Sequence, residues 1–309
     1  MTAASRRKRM FSPRPIRVWQ LGGRRLELGR RTLLMAILNL TPDSFFAGSR
    51  LDGEPAAMAA AEAALEAGAD VLDLGAESTR PGAAALNPAE EQSRLLPVLE
   101  RLRARFPQAW LSADTRHGAT ARAALQAGAD IINDVSGLAN PAMLATAAAS
   151  NCGLVLMHLR GDFSTMHRLP PLADPVGEVT AGFKAILARM RAAGIDIERV
   201  VLDPGFGFGK NMAENFPLLA RFDAWHALGC PLLAGVSRKS FIAYALAGTD
   251  QTGARRPPPP PEARLHGTLA AVIAAILNGA HIVRVHDLAA ARDAARVADA
   301  VLEASASGH

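Results

Sequence analysis

Three stretches of this chain are variations on one phrase. AALEAGADVLDLGAES (63–78), AALQAGADIINDVSG (123–137) and AAILNGAHIVRVHD (274–287) each run from an alanine-rich segment, through a glycine, into a β-branched run that ends on polar residues. Gly68, Gly128 and Gly279 stand where a helix takes its left-handed C-terminal cap. The phrase is the αβ half of a βα unit, and such units stack helices around parallel strands. Five more apolar runs fit the scheme, at 32–39, 109–115, 153–158, 199–204 and 230–237. Continuous Val/Ile/Leu runs of this kind belong to strands buried on both faces, hence parallel ones. Asn87-Pro88 with Glu90 marks a helix start, with an N-cap, a first-turn proline and a capping-box acid. Eight strands in 309 residues predict a single (β/α)8 TIM barrel with a basic N-terminal extension. An open doubly wound sheet would also accommodate the units, but no dinucleotide fingerprint supports it.

Charge sets the boundaries. The chain is half apolar and one-fifth charged, enough for a full core. Of the net +5, residues 1–31 carry +9, leaving −4 for the rest. The basicity belongs to the entry segment, chiefly SRRKR (5–9), so it describes a solvated tail and not a nucleic-acid face. We read 1–17 as a flexible tail and 18–309 as the barrel. An Arg-rich, acid-poor entry also suits a transit peptide, although it lacks an apolar face. The longest charge-free run, Val135 to Leu159, is broken by Asn140-Pro141, Ser150-Asn151 and Gly153, so no membrane span is expected. Cys152 and Cys230 lack metal-ligand spacing and read as reduced buried thiols, which favours a cytoplasmic setting. The proline run 257–261 makes a stiff spacer within an insertion around 253–262, after the seventh strand.

In a parallel barrel the chemistry sits where strands finish. Those ends carry Asn39, Asp114, Asn133, His158, Asp203, Arg284 and His286, with Lys239 two residues beyond Ser237. One polar strand end is ordinary capping material; eight converging on one mouth are not. Asp114, Asn133 and Asp203 offer acceptors and an amide edge, and Lys239 adds donors, a set suited to a flat heterocycle such as a pterin or guanine. Arg80, Arg284 and His286 supply anion contacts, Arg in a forked grip. Asn39 and nearby Asp43 are hard oxygen ligands suited to Mg2+ shared with a phosphate. His286 follows Arg284 at strand period two and so shares its face. His158 reads equally as a site residue or as a group that satisfies backbone. DPGFGFGK (203–210) looks like a phosphate loop but lacks its glycine spacing, and Asn211 follows where Ser or Thr is needed.

ILNLTPDSF (37–45), ESTRPG (77–82), DPGFGFGK (203–210), SRKSF (237–241) and RVHD (284–287) occur in the order of the signature blocks of the dihydropteroate synthases, and the chain resembles that family from about Leu33 to Leu288. The resemblance implies condensation of 6-hydroxymethyl-7,8-dihydropterin pyrophosphate with p-aminobenzoate. It places Asp114, Asn133, Met157, Asp203 and Lys239 around the pterin. Thr79, Pro81, Phe208 and Ser240 would surround p-aminobenzoate, Arg80, Arg284 and His286 would take the pyrophosphate, and Asn39 would meet Mg2+. Catalysis would fall to Asp114, Lys239, Arg284 and His286, by ionisation of the ester before amine attack. Phe208 would face the aromatic amine while Phe206 points as readily into the core. Sulfonamide sensitivity and a homodimer are further implications. Two blocks depart from the family: SFFAGSR (44–50) lacks its acid and paired glycines, and HLRGDFSTMHRLP (158–170) lacks its Gln-Gly-Pro run. A silent pterin-binding paralogue is disfavoured by the retained strand-end set. A pterin-dependent methyltransferase would need neither the SRKS block nor the Arg-X-His pair.

Overall fold

The computed structural model describes residues 11, 13–40, 50–77, 86–163, 165–166, 168–250 and 252–307. A two-stranded antiparallel hairpin, β1 (Arg17–Leu21) and β2 (Arg24–Leu28), precedes eight parallel strands. These are β3 (Leu33–Asn39), β4 (Val71–Gly75), β5 (Trp110–Asp114), β6 (Ile131–Asp134), β7 (Gly153–Met157), β8 (Val200–Asp203), β9 (Leu233–Ala234) and β10 (Ile282–Val285). Pairing runs β8-β7-β6-β5-β4-β3-β10-β9, and a parallel bridge from Leu202 to Leu232 joins β8 to β9 and closes the barrel. The helices are α1 (Arg50–Glu66), α2 (Pro88–Arg105), α3 (Gly118–Gln126), α4 (Pro141–Ala148), α5 (Pro175–Ala192), α6 (Asn215–Ala220), α7 (Ser240–Ala247), α8 (Leu265–Leu277) and α9 (Leu288–Ser307). The expected barrel is the observed one. Asn87 caps α2 through Glu90 in a reciprocal box, and Gly68, Gly128 and Gly279 take positive φ where their helices end.

Parallel strands alternate their side chains, so one face of each strand fills the barrel and the other meets the helices. At the N-terminal end the inward residues are Met35, Val71, Ile131, Val155, Val201, Leu233 and Ile282. They would open onto water if the hairpin were absent. Trp19, Leu21 and Leu28, all nearly inaccessible, close that end and join the same apolar cluster. The indole of Trp19 donates to the carbonyl of Arg199 at 2.9 Å. Gly153 is required beneath this plug, because a Cβ there would collide with Leu21.

The tail expected over 1–17 is shorter than the charge pattern suggests. Arg14 is buried, donating to Thr32 and to the carbonyl of Ala280 and pairing with Asp299 of α9 at 2.6 Å. A guanidinium so placed anchors the chain to the barrel underside, and the free-tail expectation does not hold from Pro13 onward. Residues 1–10 lie outside the described residues.

The proline run is tethered rather than loose. Arg264 donates to the carbonyl of Pro259 at 2.9 Å and to that of Arg238 at 2.7 Å, linking the spacer to the segment after β9. Cys152 and Cys230 are free and buried. Among the described residues no helix is long and apolar enough to cross a membrane.

The plug makes a stability prediction. Trp19→Ala removes a fully buried indole from a packed floor and should cost about 3–5 kcal/mol, read as a lowered urea midpoint. An unchanged midpoint would mean that the hairpin is an ornament on a barrel closed by other means.

Candidate active site

Two residues further along several of these strands, on the same inward face, the chemistry changes. Val71 gives way to Asp73, Ile131 to Asn133, Val155 to Met157, Val201 to Asp203 and Ile282 to Arg284. The period of two that builds the apolar floor therefore builds a polar layer directly above it. Register aligns that layer: Asp73 lies beside Ser112, Asp114 beside Asn133, and Met157 beside Asp203.

Its centre is an ion cluster. Arg284 donates from Nε to Asp73 Oδ2 at 2.5 Å and from NH2 to Asp114 Oδ2 at 2.6 Å. Asp73 is wholly buried and also accepts from Ser112 Oγ at 2.6 Å and from the Asn133 amide at 3.0 Å. Asp73 escaped the sequence reading, which looked at strand ends. Its signal was available as the one acid inside an otherwise apolar strand, VLDLG. The hydrogen bond from Asn133 Nδ2 leaves its Oδ1 outside the Asp73 contact. Gly75 leaves room for Asp114, whose Cβ would stand 3.3 Å from any Cβ there.

Burial pushes the Asp114 carboxyl up to about 7, with Arg284 opposing and Asp73 adding to the rise. Burial likewise raises Asp203, against a hydrogen bond from Gly205 N at 2.8 Å and the charge of Lys239. Lys239 is lowered to about 8, chiefly by desolvation, with Asp203 pulling it back up. Desolvation works against the charge of Arg284, but the two carboxylates outweigh it and hold the guanidinium firmly protonated. These shifted acids and bases share one recess, as expected of a working site.

The glycine loop after β8 explains DPGFGFGK. Gly205, Gly207 and Gly209 all have positive φ, and a Cβ at Gly205 would strike the carbonyl oxygen of His158. Lys210 is buried beneath the loop and donates to the carbonyls of His158, Gly205 and Phe208 at 2.9–3.1 Å. Burial lowers Lys210 to about 7, but three acceptors match the three N–H of an ammonium and hold the charged form. The loop presents Phe208, packed edge-on to Phe163 and lying 4.2 Å from the Lys239 ammonium. Phe206 points into the core, stacked on Phe222 and Phe241.

Lys239 is delivered by a strained turn. Arg238 has φ 57°, a left-handed conformation that costs a non-glycine residue about 1 kcal/mol or more. Its guanidinium grips Asp287 through two bonds of 2.6 and 3.0 Å, and its amide donates to Thr268. Next to Asp287, His286 Nδ1 lies 2.9 Å from Ser237 Oγ, which also accepts from His286 N at 3.3 Å. With that hydroxyl donating to Nδ1, the ring proton sits on Nε2. Burial, with Arg238 and Arg284 adding, lowers His286 to about 4, so it acts as a neutral donor.

The expected site residues are therefore largely together. Asp114, Asn133, Met157, Asp203, Lys239 and Arg284 come together with Phe208, His286 lies close to Lys239 and Arg284, Asn39 ends β3 beside Gly75, and Ser240 opens α7 next to Lys239. Thr79, Arg80, Pro81 and Asp43 lie outside the described residues. His158 does not join the mouth. Its ring is buried, packs edge-on to Phe183 and is lowered to about 3 by desolvation, while its Nδ1 has no partner. Its backbone carbonyl, not its ring, serves the site, as an acceptor for Lys210. A groove of about 970 Å3 lies at the opposite end, where Arg14 pairs with Asp299 and Arg31 with Asp70.

A closed parallel barrel with a charged recess of this kind at the ends of its strands is the arrangement of a (β/α)8 enzyme. The family model of pterin binding enzymes matches residues 35–286. The dihydropteroate synthase of Escherichia coli K12 is 42% identical over 271 residues, covering 88% of this chain and 92% of that protein. Xanthomonas albilineans dihydropteroate synthase, solved with 4-aminobenzoic acid, superposes with a TM-score of 0.82 at 42% identity, covering 93% of this chain and 98% of that one. The Yersinia pestis enzyme, solved with a sulfonamide drug, gives 0.83 at 38% identity, covering 93% and 99%. The chain belongs to the dihydropteroate synthase family of pterin binding enzymes.

Asp73 carries the next prediction. Asp73→Ala strands Arg284 and Asn133 in a buried setting and should lower stability by about 3–5 kcal/mol in urea unfolding. Adding Arg284→Met should restore part of that loss, since the uncompensated charge is then gone. A double variant no better than the single one would show that the cluster is not what stabilises the barrel centre.

Proposed function

We propose that this chain condenses 6-hydroxymethyl-7,8-dihydropterin pyrophosphate with p-aminobenzoate, giving 7,8-dihydropteroate and pyrophosphate. The observation that carries the reading is the recess itself: the carboxylates of Asp114 and Asp203, the amide of Asn133 and the ammonium of Lys239 gathered around half-buried Arg284, with the Phe208 ring against Lys239. The pterin would lie against Met157, its amidine edge on Asp114 and Asp203 and its remaining polar atoms on Asn133 and Lys239. The bond from the pterin methylene carbon to the ester oxygen breaks first, and its electron pair leaves with the pyrophosphate. The amine nitrogen then bonds to that carbon and loses a proton. A neutral aniline is a modest nucleophile, so making the electrophile matters more than deprotonating the amine. Asp114 would stabilise the methylene cation electrostatically, and burial among fixed dipoles makes that charge count.

Arg284 spends Nε and NH2 on Asp73 and Asp114, leaving NH1 without a hydrogen bond among the described residues and available to the departing pyrophosphate. The Nε2–H of exposed His286 would be a second donor, and Arg80 a third. Asn39 ends β3, and its amide makes no hydrogen bond among the described residues, which fits one ligand of a Mg2+ otherwise held by phosphate oxygens and water. Such an ion would neutralise charge on the leaving group. Phe208, Ser240, Thr79 and Pro81 would enclose p-aminobenzoate, and sulfonamides would compete there. We also expect a homodimer, which light scattering would test.

Pyrophosphate release should require p-aminobenzoate and yield pteroate stoichiometrically. Pterin binding without release would favour the silent paralogue, and release that proceeds equally without the amine would overturn the condensation. Because Arg284 also pins Asp114, Arg284→Ala should lose pterin affinity as well as rate. The sharper variant is Arg284→Lys, expected to lower turnover on the order of 10²–10³ with pterin binding largely kept. The pH profile of kcat/KM should be bell-shaped. Activity falls as Asp114 gains a proton below about 7 and again as Lys239 loses one above about 8. Asp114→Asn should lower the plateau and abolish the acid limb; an acid limb that survives assigns it to another group.

A further inference from the structure

Behind the mouth, three side chains from three elements converge without a role in the reaction above. Glu77 follows β4, Glu91 lies in the first turn of α2, and His117 stands at the start of α3. One ligand atom from each lies within 4.8 Å of the others. Glu91 is wholly buried, and its Oε1 has no hydrogen-bond partner. A buried carboxylate oxygen left unpaired is costly and rare in a folded protein. Its Oε2 accepts from Thr115 Oγ1 at 2.9 Å and lies 3.1 Å from His117 Nδ1. His117 sits at the N-cap of α3 but makes no side-chain cap bond, so its ring serves Glu91 and not the helix.

We infer that Glu77, Glu91 and His117 form a binding site for a borderline divalent cation, with Zn2+ the best match. A nitrogen and an oxygen 3.1 Å apart are close to the separation of two ligands on one tetrahedral zinc, at about 2.0–2.2 Å from each. An imidazole with two carboxylates suits zinc and its transition-metal neighbours, where Mg2+ takes oxygen alone. Glu77 also holds Arg116 in two bonds of 2.8 and 2.9 Å and accepts from Leu86 N at 3.2 Å. A carboxylate has about four lone-pair sites, so it can serve the guanidinium and an ion together. With two carboxylates against one guanidinium, the cluster offers negative charge that favours a dication. Thr115 and the unpaired Glu91 oxygen are the nearest further donors. The ion would tie together the end of β4, the start of α2 and the residues just after Asp114, acting as a staple beside the mouth. This site is separate from Asn39 and does not depend on the reaction assigned above.

The test uses the full chain, stripped with chelator and titrated with Zn2+ alone by calorimetry, with metal content read independently. The expected result is one saturable site per chain, a thermal midpoint raised by zinc, and little response to Mg2+. Loss of an outer-shell partner alone weakens metal sites by about 10–100-fold. Glu91→Gln and His117→Ala, which remove ligands, should each weaken zinc by at least that. His266→Ala, at an exposed histidine elsewhere, should change nothing. Should Glu91→Gln fail to fold by circular dichroism, the half-buried His117→Ala decides alone. No saturable zinc binding, or binding that His117→Ala leaves intact, overturns the proposal; the latter marks an adventitious ion only.

Discussion

One guanidinium holds the middle of this barrel together. Arg284 enters the interior from β10 and meets carboxylates from β4 and β5, so a single side chain joins three strands across the cavity. Either acid alone at that depth would be pressed toward its neutral form. Between them, Arg284 supplies a counter-charge that opposes this shift, leaving Asp114 at about 7, and Asp73 in turn binds Asn133. The barrel thus stabilises polar groups in its core with one another, and only the edges that face the mouth are left for a ligand.

Two loops bring the remaining groups to that mouth, each under a different constraint. After β8, glycines permit positive φ and close approach, and the Lys210 ammonium binds three carbonyls that would otherwise point inward unsatisfied. After β9, Arg238 is held in a left-handed conformation by a two-point grip on Asp287. That grip fixes two site residues at once, because Lys239 follows Arg238 and His286 precedes Asp287. The carbonyl of Arg238 is itself held by Arg264, the residue that anchors the proline run. The spacer therefore acts on the strained turn through one side chain.

The barrel was legible because its signal is periodic. Repeated helix–glycine–strand phrases fix the strands, and strand ends then mark Asn39, Asp114, Asn133, Asp203, Arg284 and His286 without further information. What escaped is what periodicity cannot express. Asp73 is mid-strand, where an acid looks like an anomaly until its partner 211 positions away is known. The Lys210 cage depends on carbonyl directions, which no residue type encodes. Arg14 looked like part of a basic tail, since its acceptors, Thr32, Ala280 and Asp299, are distant in sequence. Charge counting sees the sign of a residue and not its partner.

The hairpin floor gives these polar contacts their strength. Trp19, Leu21 and Leu28 seal the N-terminal end with a dry layer just beneath Asp73 and Arg284. Coulomb attraction and desolvation both grow as water is excluded, so the same pairs on an open barrel would be weaker and their protonation less shifted. Entry is then confined to the mouth, and a ring-shaped ligand settling there would displace the remaining water from the opposite side. On this view the apolar plug and the charged layer are a single device. The floor strengthens the attraction between Arg284 and the acids, and Arg284 in turn opposes the rise that burial imposes on Asp114.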